Sequence, residues 1–440
     1  MMESVWCDVK MPEFPRLEQD LQTEVLIVGG GMAGILTAHM LRQRGIDCLI
    51  VEANRICGGV TRNTTAKITS QHGLIYHKLI EKFGTDTARL YWETNEAAVK
   101  RFRQYAQTID CNFETKDNYI YSTDSPEKLE EELSALQKLR IPGEYVQELS
   151  LPFSTVGAVR FSQQAQFHPL KFAAGICADL RAYEHTPVRA FHGNTAITDG
   201  GEIRAAKIVV ATHFPMINKH GSYFLKLYQD RSYVLAAEDA ADVDGMYLDE
   251  AEHGLSFRNS GGLLLIGGGG HRTGKKGSAW AETEAFLRTY FPKAAIRYRW
   301  AAQDCMSLDG IPYIGQYSSR TPDLYVASGF NKWGMTSSMT AAALLCDLIR
   351  GKSTPYGAVF SPSRTILRPQ LLANALEATV NLFTPTVPRC PHLGCALKWN
   401  SDERSWDCPC HGSRFREDGA LIENPATGGI KRAHLRSKER

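Results

Sequence analysis

Residues 24–53 read EVLIVGGGMAGILTAHMLRQRGIDCLIVEA, and this stretch decides the fold. EVLIV (24–28) is a short apolar run of the kind a buried parallel strand needs. GGGMAG follows at once, and MAGILTAHMLRQR then runs at helical period until Gly45. IDCLIVEA is a second apolar strand, which completes a βαβ unit of about 30 residues. Gly29, Gly31 and Gly34 fit G-x-G-x-x-G between the first strand and the helix. That spacing allows a tight turn, close approach of the backbone to a pyrophosphate, and close helix–strand packing. Met32 and Ala33 open the helix, whose N-terminus faces the phosphate charge. Glu52 ends the second strand about 20 residues on, beside Ala53, where a carboxylate accepts hydrogen bonds from ribose hydroxyls.

Working outward, a loop rich in Gly and Thr follows at 56–73, ICGGVTRNTTAKITSQHG. Residues 83–108 and 126–140 have helical periodicity. AAKIVVATHFP (205–215) is a buried strand, and short alternating segments between 230 and 267 suggest an antiparallel sheet. A helix is expected near 278–290 and another from Met335 to Arg350, closed by Gly351. Residues 351–389 carry five prolines around the apolar helix LLANALEATVNLF and read as a connector. The fold class expected is α/β: a Rossmann-like domain with an antiparallel layer, followed by a small all-β unit.

The chain has 440 residues, 50 Lys+Arg and 48 Asp+Glu, a formal net charge of +2. So even a balance provides no field for nucleic acid or an anionic membrane. No run reaches 18 apolar residues, so no membrane span is expected. The N-terminus lacks a signal-peptide pattern, which leads to an expectation of a cytoplasmic location. The basic end, IKRAHLRSKER (430–440), reads as a solvated tail. GGHRTGKK (269–276) falls one residue short of a phosphate-binding P-loop: Lys276 stands where Ser or Thr would ligate magnesium.

Seven of the eleven cysteines are scattered singly, as buried thiols are; four fall in the last 51 residues. There, in CPHLGCALKWNSDERSWDCPCHGSRF (390–415), Cys390 and His392 form C-x-H, and Cys408 and His411 form C-x-x-H. ALKW, the NSDE turn and the RSWD return bring the two loops together. Two Cys and two His suit zinc, and they equally suit an iron–sulfur cluster.

Two resemblances add to this reading. The glycine motif near the chain start, the loop after Glu52, the ATH strand end (Ala211, Thr212, His213), DGIPYIG (309–315) and SGFNKWGMT (328–336) resemble FAD enzymes of the D-amino-acid-oxidase and glycine-oxidase type, over residues 22–365. That resemblance implies a glutathione-reductase-type FAD domain. It implies Gly329, Trp333, Gly334, Met335 and Thr336 near the isoalloxazine, and Thr65, Ala66, Lys67, Ala211 and Thr212 among the FAD contacts. A helix N-terminus aimed at the pyrimidine ring stabilises the anionic reduced flavin. Lys67, His72 and His213 stand as candidate proton carriers beside a reading as hydrogen-bonded structural residues. Cys305-Met306 matches a pair that bonds covalently to flavin in sarcosine-oxidase relatives, against a plain buried thiol.

CPHLGC with CPCHGS resembles Rieske [2Fe–2S] proteins, which implies Cys390, His392, Cys408 and His411 as iron ligands and a disulfide between Cys395 and Cys410. A zinc knuckle explains neither the second cysteine pair nor the paired loops. This Rieske unit is short, with only LFTPTVPR between the connector helix and Cys390, so its loops are expected to lean on the FAD domain.

The organisation expected is 1–365 as FAD oxidoreductase domain, 366–389 as connector and 390–440 as truncated Rieske domain. FAD-binding parts are placed at about 22–82, 150–225 and 300–365, with the substrate layer at 83–149 and 226–299. The activity implied is oxidation of a C–N or C–O bond of a small molecule at FAD, or the reverse reduction, coupled to one-electron transfer through the cluster with a redox partner protein or quinone. The alternatives are an electron-transfer module without its own substrate, and an oxygenase, for which no two-His-one-carboxylate set is found. Where glycine-oxidase-like enzymes place a carboxylate-binding Arg, this chain has Asp304, and Arg299 is the nearest Arg. Substrate identity, direction of electron flow and oligomeric state carry no signature in the sequence.

Overall fold

The computed structural model describes residues 3–217, 220–365, 367–385 and 388–431. Most of the basic tail therefore lies outside the described residues.

The apolar run of the opening stretch becomes the central strand Leu21–Val28, whose last four residues are all buried. It pairs in parallel with Cys48–Val51 on one side and Glu202–Val210 on the other. The sheet runs in the order Tyr313–Gln316, Leu324–Ser328, Glu202–Val210, Leu21–Val28, Cys48–Val51, Ala182–Tyr183. The first two of these pair antiparallel, and the hairpin Val188–His192/Thr195–Thr198 extends the sheet from Glu202–Val210. Helix Met32–Arg42 buries nine of its residues between this sheet and the long helix Gly334–Ile349. A helix enclosed on so many sides is apolar almost all round, which is why its amphipathic pattern is weak.

A second sheet of nine strands stands against the first. It runs from Ala295–Ser307 through Leu227–Glu238, Leu263–Arg272, Ser256–Ser260 and Met246–Asp249 to Glu114–Ser122, Gly157–Gln166 and Lys67–Ile68, and the ninth strand, Glu144–Val146, pairs with Gly157–Gln166 off that path. It is antiparallel except where Met246–Asp249 meets Glu114–Ser122. Gly157–Gln166, Lys67–Ile68 and residues 300–307 belong to this sheet, whereas the sequence reading put them with the FAD-binding parts. These strands pair with partners far off in the chain, and no local pattern reports such pairings.

Connector helix Pro369–Phe383 leads into a four-stranded antiparallel sheet. Its strands, Lys398–Asn400, Ser405–Asp407, Arg414–Arg416 and Leu421–Glu423, have three residues each. Among the described residues no helix is long and apolar enough to cross a membrane.

Candidate functional site

The glycine loop is built for close approach. Gly29 has φ +110°, and a Cβ there would lie 2.5 Å from the Ala211 carbonyl oxygen. A Cβ at Gly34 would run into the Gly29 carbonyl oxygen, so both positions are glycine for packing within the protein. Gly31 differs: its Cβ would meet only Thr61 Oγ1, at 3.5 Å, and no protein atom crowds the far side. A Cβ at Gly334, opening helix Gly334–Ile349, would meet nothing within 4 Å. Two helix N-termini thus open onto unfilled space, the arrangement a dinucleotide's phosphates and a flavin ring need. The half-buried Glu52 accepts hydrogen bonds from Gly30 N at 2.8 Å and Asn54 N at 2.9 Å, while burial pushes its carboxyl up. Ala53 beside it is exposed. The residues fit FAD.

The polar residues singled out along this cleft have different surroundings. Lys67 follows Thr65 and Ala66, whose carbonyls accept from the buried Arg258 at 2.8 and 2.9 Å. Desolvation, helped by that guanidinium, pulls the Lys67 ammonium down to about 7. His72 is fully engaged: Nδ1 lies 2.6 Å from Tyr91 Oη, and Nε2 lies 2.9 Å from both the Thr69 carbonyl and Thr336 Oγ1. Its ring stacks on Trp333 at 4.9 Å, and burial pulls it down to about 3, so it stays neutral. Met335 and Thr336 are buried in the first turn of the same helix, and Gly329 has φ +72° just before it. His213 follows Ala211 and Thr212, and its carbonyl accepts from Ser328 Oγ at 2.5 Å. Cys305 is a buried thiol 3.5 Å from Ser328 Oγ, pushed up to about 12 by burial.

At the C-terminal end the two ligand loops converge. Cys390 and Cys408 share a thiol hydrogen bond, which together with amide donors and Ser413 pulls Cys390 below an ordinary thiol against its burial. The His392 and His411 rings meet edge to face at 4.9 Å. His411 Nε2 lies 3.0 Å from the Phe224 carbonyl, so that nitrogen carries the proton. Nδ1 of His411 is buried without a protein hydrogen-bond partner, and its lone pair is left for a metal. Cys395 and Cys410 form a disulfide joining the loops, with Cα atoms 6.7 Å apart. Two thiols, two imidazoles and a bridging disulfide fit a Rieske cluster.

The flavin domain supplies much of this unit's support. Arg231, 1% exposed, pairs with Glu403, which also pairs with Arg414 at 2.8 Å; Arg414 pairs with Asp407 at 2.9 Å. Asn424 Nδ2 donates to the carbonyls of Thr212 at 2.6 Å and Phe214 at 2.7 Å. The ring of Phe214 contacts both His392 and His411. The segment GGHRTGKK is the end of a strand and the turn after it: Arg272 donates to the Pro409 carbonyl at 3.3 Å, and Gly274 packs on Pro409.

The sequence reading missed Arg258, Arg231, Gln229, Gln303 and Asn424. Their one signal was a polar side chain inside an apolar strand or beside a ligand loop. Asp304 is half-buried beside Lys332, His213 and Asp230, and desolvation pushes its carboxyl up. Arg299 lies away from it, paired with Glu284 at 2.9 Å.

Comparison with known proteins agrees with this geometry. The family model described as FAD dependent oxidoreductase (DAO) matches residues 24–348, and the Rieske [2Fe-2S] domain model matches 383–434. YhfW of Bacillus subtilis (strain 168), named for its Rieske 2Fe-2S iron–sulfur character, is 34% identical over 98% of each chain. Gamma-glutamylputrescine oxidoreductase of Escherichia coli (strain K12) is 23% identical, over 79% of this chain and 88% of its own. Glycine oxidase from Geobacillus kaustophilus superposes with TM-score 0.66 at 19% identity, over 79% of this chain and all of that one.

Proposed function

The chain belongs to the DAO family of FAD-dependent oxidoreductases and ends in a Rieske [2Fe–2S] domain, and from that premise we propose that it oxidises a C–N or C–O bond of a small molecule and passes the electrons out singly. Bound FAD takes two electrons as hydride and the cluster carries one at a time, so together they convert two-electron chemistry into one-electron transfer. The observation that carries the reading is the direct seat of the ligand loops on the flavin domain, with Phe214 against both imidazoles and Asn424 on the Thr212 and Phe214 carbonyls.

In this reading Glu52 holds the ribose, and Gly31 admits the pyrophosphate. The N-terminus of helix Gly334–Ile349 faces the reduced flavin's charge. Lys67, with its ammonium down at about 7, takes the substrate's proton near neutrality. His72, neutral and held on both nitrogens, orients Trp333 and Thr336. The relatives' names, glycine oxidase and gamma-glutamylputrescine oxidoreductase, favour a nitrogen-bearing substrate. Asp304 and Asp230 on the facing sheet favour one that presents an amine to them rather than a simple amino-acid carboxylate.

The test is an anaerobic substrate screen on holoenzyme, with flavin absorbance and cluster EPR read together. Bleaching of the flavin by an amine, followed by the EPR signal of the reduced cluster, supports the proposal. Bleaching with no cluster signal overturns the coupling.

A further inference from the structure

Two glutamines on the face of the second sheet that meets the Rieske unit have no role in binding FAD or iron. Gln229, on Leu227–Glu238, and Gln303, on Ala295–Ser307, are each 1% exposed. Their amides donate to successive carbonyls of the second ligand loop: Gln229 Nε2 to His411 O at 3.2 Å, Gln303 Nε2 to Gly412 O at 2.9 Å. Gly412 has φ +80°, and a Cβ there would sit 2.7 Å from the Gln229 side chain, so the loop is shaped to this sheet.

The two differ at the other end of the amide. Gln303 Oε1 accepts from Thr273 Oγ1 at 2.9 Å, in the turn that follows strand Leu263–Arg272. Gln229 Oε1 lies 2.9 Å from His213 Nε2. Because the amide nitrogen is committed to the His411 carbonyl, the oxygen faces His213, and the imidazole is the donor. The His213 carbonyl in turn accepts from Ser328 Oγ, the residue before Gly329 in the loop that opens the flavin helix. A continuous line of hydrogen bonds and short covalent segments therefore runs from Ser328 through His213 and Gln229 to a cluster ligand.

We propose that Gln229 is the positioning residue of the electron path between flavin and cluster, an inference that rests on the coupled function above. One electron leaves the reduced flavin along this line with release of a proton, and one cluster iron goes from ferric to ferrous. The second electron follows once a one-electron acceptor has reoxidised the cluster; without an acceptor, as in the experiment below, only the first transfer is read. A hydrogen bond couples two groups better than the van der Waals gap an apolar side chain leaves, so removing the amide slows transfer. Toward the cluster the amide bonds only the His411 backbone carbonyl, and neither a sulfur nor a ligand imidazole, so the driving force stays the same.

The experiment photoreduces the flavin of anaerobic holoenzyme and follows cluster reduction by absorbance and EPR, with the cluster midpoint potential measured in parallel. Gln229→Leu is expected to slow cluster reduction by about tenfold or more, the scale on which lost geometry acts on rates. Its potential and its flavin and iron contents should stay at wild-type values. Gln303→Leu loses the same kind of bond to the neighbouring carbonyl without touching His213, and is expected to slow transfer far less. Gln229→Leu at the wild-type rate, or both variants slowed alike, overturns the path. If wild-type flavin passes no electron to the cluster, the coupled function itself fails, and that outcome is distinct from the other two.

Discussion

The two ends of this molecule are stabilised in opposite ways. The flavin domain packs helices Met32–Arg42 and Gly334–Ile349 against a parallel sheet whose central strands are apolar, and its core is made of its own elements. The Rieske unit has four strands of three residues and a small apolar cluster that is largely its own cysteines with Leu397, Trp406, Phe415, Ala426 and Ile430. So small a core contributes little on its own. The flavin domain completes it with buried charge, amide donors and one acceptor: Arg231 on Glu403, the two glutamines on the loop carbonyls, and the Phe224 carbonyl, which accepts from His411. A redox unit held by directional contacts keeps a fixed position over the flavin domain.

The sharpest break in that comparison is at the flavin end. Gly31→Val is expected to abolish FAD binding while the C-terminal cluster still forms, because the new side chain fills the open cradle and touches nothing in the Rieske unit. Flavin and iron contents of the purified variant check this. At the other end, Arg231→Ala leaves Glu403 short of one buried partner. The loss is expected to be about 3–5 kcal/mol, read as cluster bleaching at lower urea with flavin absorbance lost later. Bleaching and flavin loss at one common midpoint would show that the two regions unfold as a unit.

A finer distinction lies in the cleft. Lys67 has its folded pKa lowered to about 7, so the proton an ordinary lysine keeps to about 10.4 is gone above neutrality. Flavin reduction by substrate should therefore rise with pH through about 7, and Lys67→Met should remove that inflection. The unfolded chain binds the proton that the folded one has released, so this group makes stability rise with pH between about 7 and about 10. Urea unfolding across that window checks the sign.

The smallest effect expected is at the cluster sulfurs. Ser413 Oγ reaches Cys390 and is itself fixed by the Ala426 amide at 3.0 Å. A donor to sulfur favours the reduced cluster. Removing about 1 kcal/mol of that preference lowers a one-electron potential by about 40 mV, so Ser413→Ala should show that drop in film voltammetry. Phe415 is fully buried, with Trp406 opposite it on the next strand. Phe415→Tyr should raise the potential by a similar amount where its hydroxyl meets a sulfur.

Much of this was readable along the chain because the signals are local. The βαβ unit with Gly29, Gly31, Gly34 and Glu52 spans 30 consecutive residues, and the C-x-H and C-x-x-H loops lie within 22. Each needs only turn geometry and side-chain chemistry to be recognised. The connector helix, the helices near 85–105 and 126–139, and the ALKW–RSWD hairpin were legible from period and turn residues for the same reason. Tertiary structure alone decided which strands share a sheet, as with Gly157–Gln166 beside Glu114–Ser122, since pairing register depends on distant partners. It alone decided that His72 is locked by Tyr91 and Thr336, and that Arg231 and Gln229 serve a domain that begins some 160 residues later. A polar residue in a strand looks the same in sequence whether it faces water or another domain, and only the packed partner distinguishes the two.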